Sequence, residues 1–355
     1  MARPWSRPQR QRKPKNDENY KVISFASWSV LTVDFLIVLN LALGGVALAA
    51  LLHLVNAQWR FDIRVISVSF FALYPLAFIM LLILLFGGAT TFPWVGSTEP
   101  LPHWNNLGFL AAREVLAMIG VGFLYGSFIK LQNRSGDSPE HMYKFKTVAA
   151  LLPFAHVLYI TLVSWDFEMT LLPNWGSSMY SINYIVSVSG LYLATLVLVV
   201  FFLNKARLFI KPPGNYVFNY LAQMMLGFTI LWIYTFFGQY LIIWYGNFAS
   251  ETERIWGMQD GQYSLLFWTF IVLKFVIPFS VLAIRYSRHN PRVIVGVAIS
   301  MVLGSWIERY TWISGTYPSD HMPMTGIFDI TVTLAVIGIA AMILRYSLRR
   351  NQVIQ

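Results

Sequence analysis

Nine apolar stretches, each about twenty residues or longer, run through this chain. That is the length an α-helix needs to cross the ~30 Å hydrocarbon core of a bilayer at 1.5 Å per residue. They fall near residues 24–54, 63–87, 107–130, 147–165, 180–204, 216–245, 262–285, 293–312 and 324–346. Within lipid every backbone N–H and C=O must be satisfied internally, and runs of this length do so as helices. The fold class expected is therefore all-α and integral to the membrane, with about nine transmembrane helices. Hydrophobic residues make up 57% of the chain and charged residues 12%, about half the ~25% charge of soluble domains.

The connections are short, so residues 23–346 read as one polytopic domain. Spans two to five (about 63–204) and six to nine (about 216–346) suggest two four-helix bundles, with the first span as a peripheral helix. Residues 1–22 form a basic tail, read as a disordered or partner-docking arm, and 347–355 a short C-terminal tail. The start does not resemble a cleavable signal peptide, because polar, Pro- and Arg-rich residues lead into an apolar run too long for one. Pro75, Pro153 and Pro278 lie inside spans, where neighbouring helices can satisfy the carbonyls they free.

Basic residues set the expected topology. The connections after spans one, three, five and seven and the C-terminal segment carry fifteen Lys and Arg, from Arg60 and Arg64 through to Arg349 and Arg350. The opposite connections carry only Arg254 and Arg309. The positive-inside rule puts the fifteen, and the C-terminus, in the cytoplasm. The N-terminal tail opposes this, with seven basic residues on the other side of a nine-span chain. The net charge of +10 thus belongs to membrane edges, and no nucleic-acid partner is expected. The connections 91–106, 164–180, 245–261 and 310–323 are acidic, aromatic and Pro-rich, suited to docking large partners.

Charged residues inside or at the mouths of apolar spans are the strongest functional signal, because each costs at least about 2.5–3.5 kcal/mol near the bilayer centre. Asp34, Arg113, Glu114, Asp166, Glu168, Lys274, Glu308, Arg309 and Asp329 stand in such positions. Arg113 and Glu114 open span three while Asp166 and Glu168 close span four, so both pairs reach the same membrane face. There they suit a polar pocket through which the two protons of an oxidised quinol leave. Lys274, near the middle of span seven, calls for a carboxylate partner within the second bundle. Asp34, Glu308, Arg309 and Asp329 complete a set of proton-relay candidates, against the plainer reading of ion pairs that only hold helices together. Position 270, four residues before Lys274, is Phe rather than the Asp of a retinal-binding lysine.

The chain has no cysteine. That excludes disulfides, cysteine-ligated iron–sulfur clusters and covalent c-type haem within it. Of six histidines only His156 lies well inside a span, so the facing imidazole pair of a transmembrane haem is not expected. His156 reads as a ligand for a quinone carbonyl, a proton relay or a hydrogen-bonded structural residue. No metal site is expected.

The stretch YLIIWYGNFASETER, Tyr240–Arg254, contains Trp244, Tyr245, Gly246 and Asn247 followed by Glu251 and Thr252. It resembles a segment of the membrane subunits of alternative complex III, within the wider NrfD-like or polysulfide-reductase-type family. Leu36–Arg64, ending NAQWRFDIR, is similar to that family's long helix and Arg turn. HWNNLGFLAAR at His103–Arg113 and DFEMTLLPNWGSS at Asp166–Ser178 are similar to two further family segments. The resemblance covers residues from about 36 to 320 and favours the smaller, ActF-like of two paralogous subunits. Gly176 stands where the larger usually has His, although GSWIERY at Gly304–Tyr310 looks more like the larger one.

The resemblance implies a fold of two four-helix bundles plus peripheral helices in a bacterial cytoplasmic (inner) membrane. It implies a place in a quinol:electron-acceptor (cytochrome c type) oxidoreductase of the respiratory chain. Menaquinone or ubiquinone would be the quinone, and haem c and iron–sulfur clusters would sit in partner subunits. Those partners would be a larger NrfD-like paralogue, an iron–sulfur subunit, multihaem and monohaem cytochromes c and small membrane subunits, together with lipid. This subunit's share would be proton conduction, scaffold and a quinone pocket. A secondary transporter with embedded acids and a purely structural membrane anchor are the other two classes that fit the residues.

Overall fold

The computed structural model describes residues 24–98, 100–317 and 321–355; the basic tail lies outside them. Among the described residues nine helices are long and apolar enough to cross a membrane. In chain order they are α1 (Phe25–Leu54), α2 (Arg60–Phe86), α3 (Leu107–Arg134), α4 (Pro139–Phe167), α5 (Tyr180–Lys205), α6 (Tyr216–Gly246), α8 (Ser264–Leu282), α9 (Pro291–Ser314) and α10 (Ile327–Arg350). A shorter helix, α7 (Ala249–Asp260), lies between α6 and α8. The protein is all-α and multi-pass; among the described residues outside the helices an isolated β-bridge joins Phe209 to Ile354, tying the C-terminal residues to the loop after α5.

Side-chain caps set several starts. Ser24 Oγ accepts the Ser27 N–H at 3.2 Å, Asn106 Oδ1 the Phe109 N–H at 3.0 Å, and Asn290 Oδ1 the Arg292 N–H at 3.1 Å. Each satisfies one amide that the first helical turn leaves without a partner. α4 begins eight residues before the expected apolar boundary. Ser138 caps it with Pro139 at the first helical position, so the polar turn HMYKFK is helical although it is not apolar.

The packing differs from the expected grouping by one span. α1, expected at the periphery, is the central helix and is largely buried, whereas α10 is mostly exposed. α1 packs against α2, α4, α5, α9 and α10. Gly44 and Gly45 allow this close approach. A Cβ on Gly44 would stand 2.6 Å from the Tyr192 ring, and one on Gly45 would stand 2.0 Å from the Ser67 carbonyl oxygen. Lipid gives helices little hydrophobic reason to associate, so such close van der Waals contact is what holds them. The first bundle is α1–α4, the second α5, α6, α8 and α9, and α10 lies outside against α1 and α2.

α8 is interrupted at Val272–Val276 by a π-turn, in which the Ile277 N–H bonds to Val272 O. Pro278 follows directly and has no N–H to continue the ladder. The Leu273 carbonyl, which Ile277 would occupy in a regular α-helix, instead accepts the Ser300 hydroxyl of α9 at 2.7 Å. Gly304, one turn further along α9, makes room, since a Cβ there would lie 2.7 Å from Lys274 Cγ and 2.9 Å from Leu273 Cβ.

Candidate functional site: the buried ionic clusters

Successive spans run in opposite directions, so the ends of α2, α4, α6 and α9 and the starts of α1, α3, α5, α8 and α10 share one membrane face, the tryptophan-rich end. The opposite face carries the basic connections. Nearly all the buried charge sits within the half of the protein nearest the tryptophan-rich end, in three groups.

The largest is inside the second bundle. Lys274 forms a short ion pair with Glu308 and also donates to Ser187 Oγ at 2.6 Å. Glu308 further accepts from the Ser187 hydroxyl at 2.6 Å, from Trp232 Nε1 at 2.9 Å and from Arg309 Nη2 at 2.9 Å. The ring of Trp232 also lies 4.8 Å from the Lys274 ammonium. Arg309 extends the chain by pairing through Nη1 with Glu168 Oε2 at 2.6 Å, and Tyr180 donates a short hydrogen bond to the same oxygen. All four charged side chains are at most 3% exposed. Glu308 is six residues from the end of α9, roughly 9 Å deep, and Lys274 ten residues into α8, roughly 15 Å. Glu308 is thus part of the bundle interior rather than of the helix mouth that its sequence position suggested.

Arg254, on α7 outside the spans, closes this group. Its guanidinium donates to the carbonyls of Glu168 (2.8 Å), Met169 (3.1 Å) and Trp312 (2.9 Å) and lies over the rings of Trp175 and Trp312. Burial pulls its pKa below the ordinary guanidinium value, and among the described residues it forms no ion pair. The group therefore holds three cations, Lys274, Arg309 and Arg254, against two carboxylates, Glu308 and Glu168. A guanidinium does not deprotonate in a protein, so Lys274 is the one cation of the three able to give up its proton.

The second group joins α3 to α4. Arg113 grips Asp166 with both arms, Nε to Oδ2 at 2.7 Å and Nη2 to Oδ1 at 2.6 Å, and Trp104 Nε1 donates to Oδ1 at 2.8 Å. The guanidinium lies 4.0 Å from the centre of the Trp104 ring. Glu114, fully enclosed beside this pair, has none of those donors, and among the described residues neither of its buried carboxyl oxygens has a hydrogen-bond partner. Arg113, Glu114 and Asp166 are thus brought together, whereas Glu168 turns away to Arg309. His156 does not join them. It lies ten residues before Asp166, roughly 15 Å along α4, and pairs with the Tyr125 hydroxyl at 2.6 Å. Tyr159, three residues after His156 on α4, has a buried hydroxyl with no hydrogen-bond partner among the described residues.

The third group follows the seam of α1, α9 and α10. Asp34 accepts from Trp306 Nε1 at 3.0 Å and the Thr333 hydroxyl at 2.9 Å. Asp329 accepts the Ser27 hydroxyl and lies 2.7 Å from Nε2 of His321. Asp329 does not reach Glu308, despite their expected proximity.

The family-like motif builds a turn rather than a charged site. Trp244 and Tyr245 are exposed, and Gly246 ends α6. Asn247 takes the left-handed conformation at φ 48°, which asparagine tolerates better than most residues. The Phe248 carbonyl then accepts the N–H groups of Glu251 and Thr252, while Glu251 O accepts Trp175 Nε1 at 3.0 Å. The turn aims α7 back over the second bundle and so delivers Arg254.

Sequence reading alone missed Ser187, Trp232, Tyr180, Trp104 and the tyrosines of the first bundle. Each is an ordinary residue of an apolar helix or loop until its partner is known. Among the described residues no group of His, Asp or Glu is arranged to hold a metal ion. No protein-family model matches the chain, and no curated protein matches it.

Proposed function

We propose that the chain is a membrane subunit of a quinol:electron-acceptor oxidoreductase of the alternative complex III type, in which it conducts protons and scaffolds the redox subunits. The observation that supports this reading is the unbroken buried chain Lys274–Glu308–Arg309–Glu168–Tyr180. A structural anchor has little use for two cations, Lys274 and Arg309, and two carboxylates, Glu308 and Glu168, buried in or at the ends of lipid-embedded helices, where a charge near the bilayer centre costs about 2.5–3.5 kcal/mol or more to insert. A proton carrier uses them. Lys274 and Glu308 share Ser187 as a hydroxyl bridge, and Arg309 fixes both carboxylates without competing for the proton. In the first bundle, Glu114 beside Arg113 and Asp166 is the carboxyl to which this reading assigns protons released near the tryptophan-rich end; a quinone meeting this chain does so at that group. The aromatic loops of that end are the docking surface assigned to the iron–sulfur and cytochrome subunits, and the basic end is assigned to the cytoplasm.

Purification of the tagged protein from its native membrane in mild detergent tests this, with haem staining, identification of co-purifying chains and a quinol:cytochrome c assay. Multihaem cytochrome, an iron–sulfur subunit and a larger membrane paralogue, together with activity, are the expected result. A colourless, inactive protein without redox partners, from a preparation that keeps other respiratory complexes intact, would overturn it and favour a transporter.

A further inference from the structure

At the basic end of the second bundle the last turn of α5 and the starts of α6 and α9 diverge around a cavity of about 540 Å³. This lies within the ~300–1,000 Å³ range of small-molecule sites. Its floor is apolar, formed by Phe201 and Phe218 packed edge to face with ring centres 6.4 Å apart. Its rim is polar and cationic, with Asn204 and Lys205 on one wall, Asn215 on the second and Arg292 on the third.

Two features point to an anion. Among the described residues neither Lys205 nor Arg292 belongs to an ion pair. The segments that build the walls, 201–218 and 283–300, contain six Lys and Arg and no Asp or Glu. No carboxylate within these segments offsets that charge; the one that hydrogen bonds among the described residues bring to the walls is Asp62 of α2, which accepts the Tyr216 hydroxyl. The start of α9 adds only its dipole, because the Asn290 side chain and carbonyl already take the amides of Arg292, Val293 and Ile294. The side chains therefore carry the site.

An apolar floor, a cationic rim and a position at the ends of three membrane helices suit one ligand chemistry. We propose that this cavity binds the phosphodiester headgroup of an anionic phospholipid. Arg292 presents its fork to the phosphate oxygens and Lys205 a point charge. Asn204 and Asn215 meet the glycerol hydroxyls, and the first acyl carbons lie along Phe201 and Phe218. Basic pockets between membrane helices recognise lipid headgroups in this manner. The assignment is independent of the redox reading.

The test is native mass spectrometry of the delipidated full chain, titrated with phosphatidylglycerol, phosphatidylcholine or inorganic phosphate. Phosphatidylglycerol is expected to bind selectively and Lys205→Gln/Arg292→Gln to weaken it by at least about tenfold. Lys130→Gln/Arg134→Gln, at the basic end of α3, is expected to leave binding unchanged. Asn215→Leu removes a rim group without altering charge and is expected to weaken binding less. Equal binding of the two lipids, equal binding by wild type and the Lys205/Arg292 variant, or a site filled by inorganic phosphate in preference to lipid would each overturn the assignment.

Discussion

Lys274 meets Glu308 through a single π-turn in α8, which turns the lysine toward α9 at the level where Gly304 leaves space for its side chain. π-turns inside α-helices concentrate at functional sites. Here the turn has identifiable supports in Pro278, the Ser300 hydroxyl and a glycine.

Gly304→Ala is expected to destabilise the protein by about 1–3 kcal/mol, the usual range for overpacking, because its Cβ would collide with Lys274 Cγ and Leu273 Cβ. Gly296→Ala, on the same helix with nothing within 4 Å of its Cβ, is the control and is expected to leave stability unchanged or raise it by up to about 1 kcal/mol. Thermal unfolding in detergent measures both; equal midpoints would remove the π-turn from the account.

A double-mutant cycle reads the strength of the Lys274 and Glu308 pair. Removing one partner of a buried ion pair costs about 3–5 kcal/mol because the other charge is stranded. Lys274→Met and Glu308→Gln are each expected to destabilise within or near that range. The double variant is expected to lose less than the sum. Additive losses would mean that the two side chains do not interact.

Arg113→Lys tests the first bundle. Lysine keeps the charge but loses the two-armed grip on Asp166 and the bond from Nη1 to Trp104 O. Hydrogen bonds to charged groups contribute about 1.5–3 kcal/mol each, so a drop of that order in unfolding free energy is expected. Unchanged stability would show that charge alone, and not the fork, holds α3 to α4.

Membrane orientation can be read directly, because the chain contains no cysteine. Thr98→Cys and Gly136→Cys place single thiols at exposed positions on the tryptophan-rich and basic ends. An impermeant maleimide added to whole cells is expected to label the first and spare the second. The reverse pattern would invert the assigned topology.

The nine spans were readable from sequence because span length and apolar content are local properties, and the structural boundaries mostly fall within a few residues of them. Which helix lies at the centre was not. α1 and α10 are similarly apolar, yet one is buried and the other faces outward; what separates them is the Gly44–Gly45 pair, whose meaning depends on Tyr192 and Ser67 in other helices. The charged candidates were recognisable individually, since lipid penalises each wherever it stands. Their partners followed from helix rotation, which apolar sequence hardly records. Glu168 pairs with Arg309 rather than with the Arg113 group, and Asp329 with Ser27 and His321 rather than with Glu308, for that reason.

The most direct test is the proton-to-electron ratio of the assembled complex in liposomes, energised by quinol, for wild type, Lys274→Met and Glu308→Gln. The account predicts that both variants assemble and pass electrons to the acceptor but translocate markedly fewer protons per electron. Full translocation by both variants would contradict it and leave the buried ionic chain as scaffold.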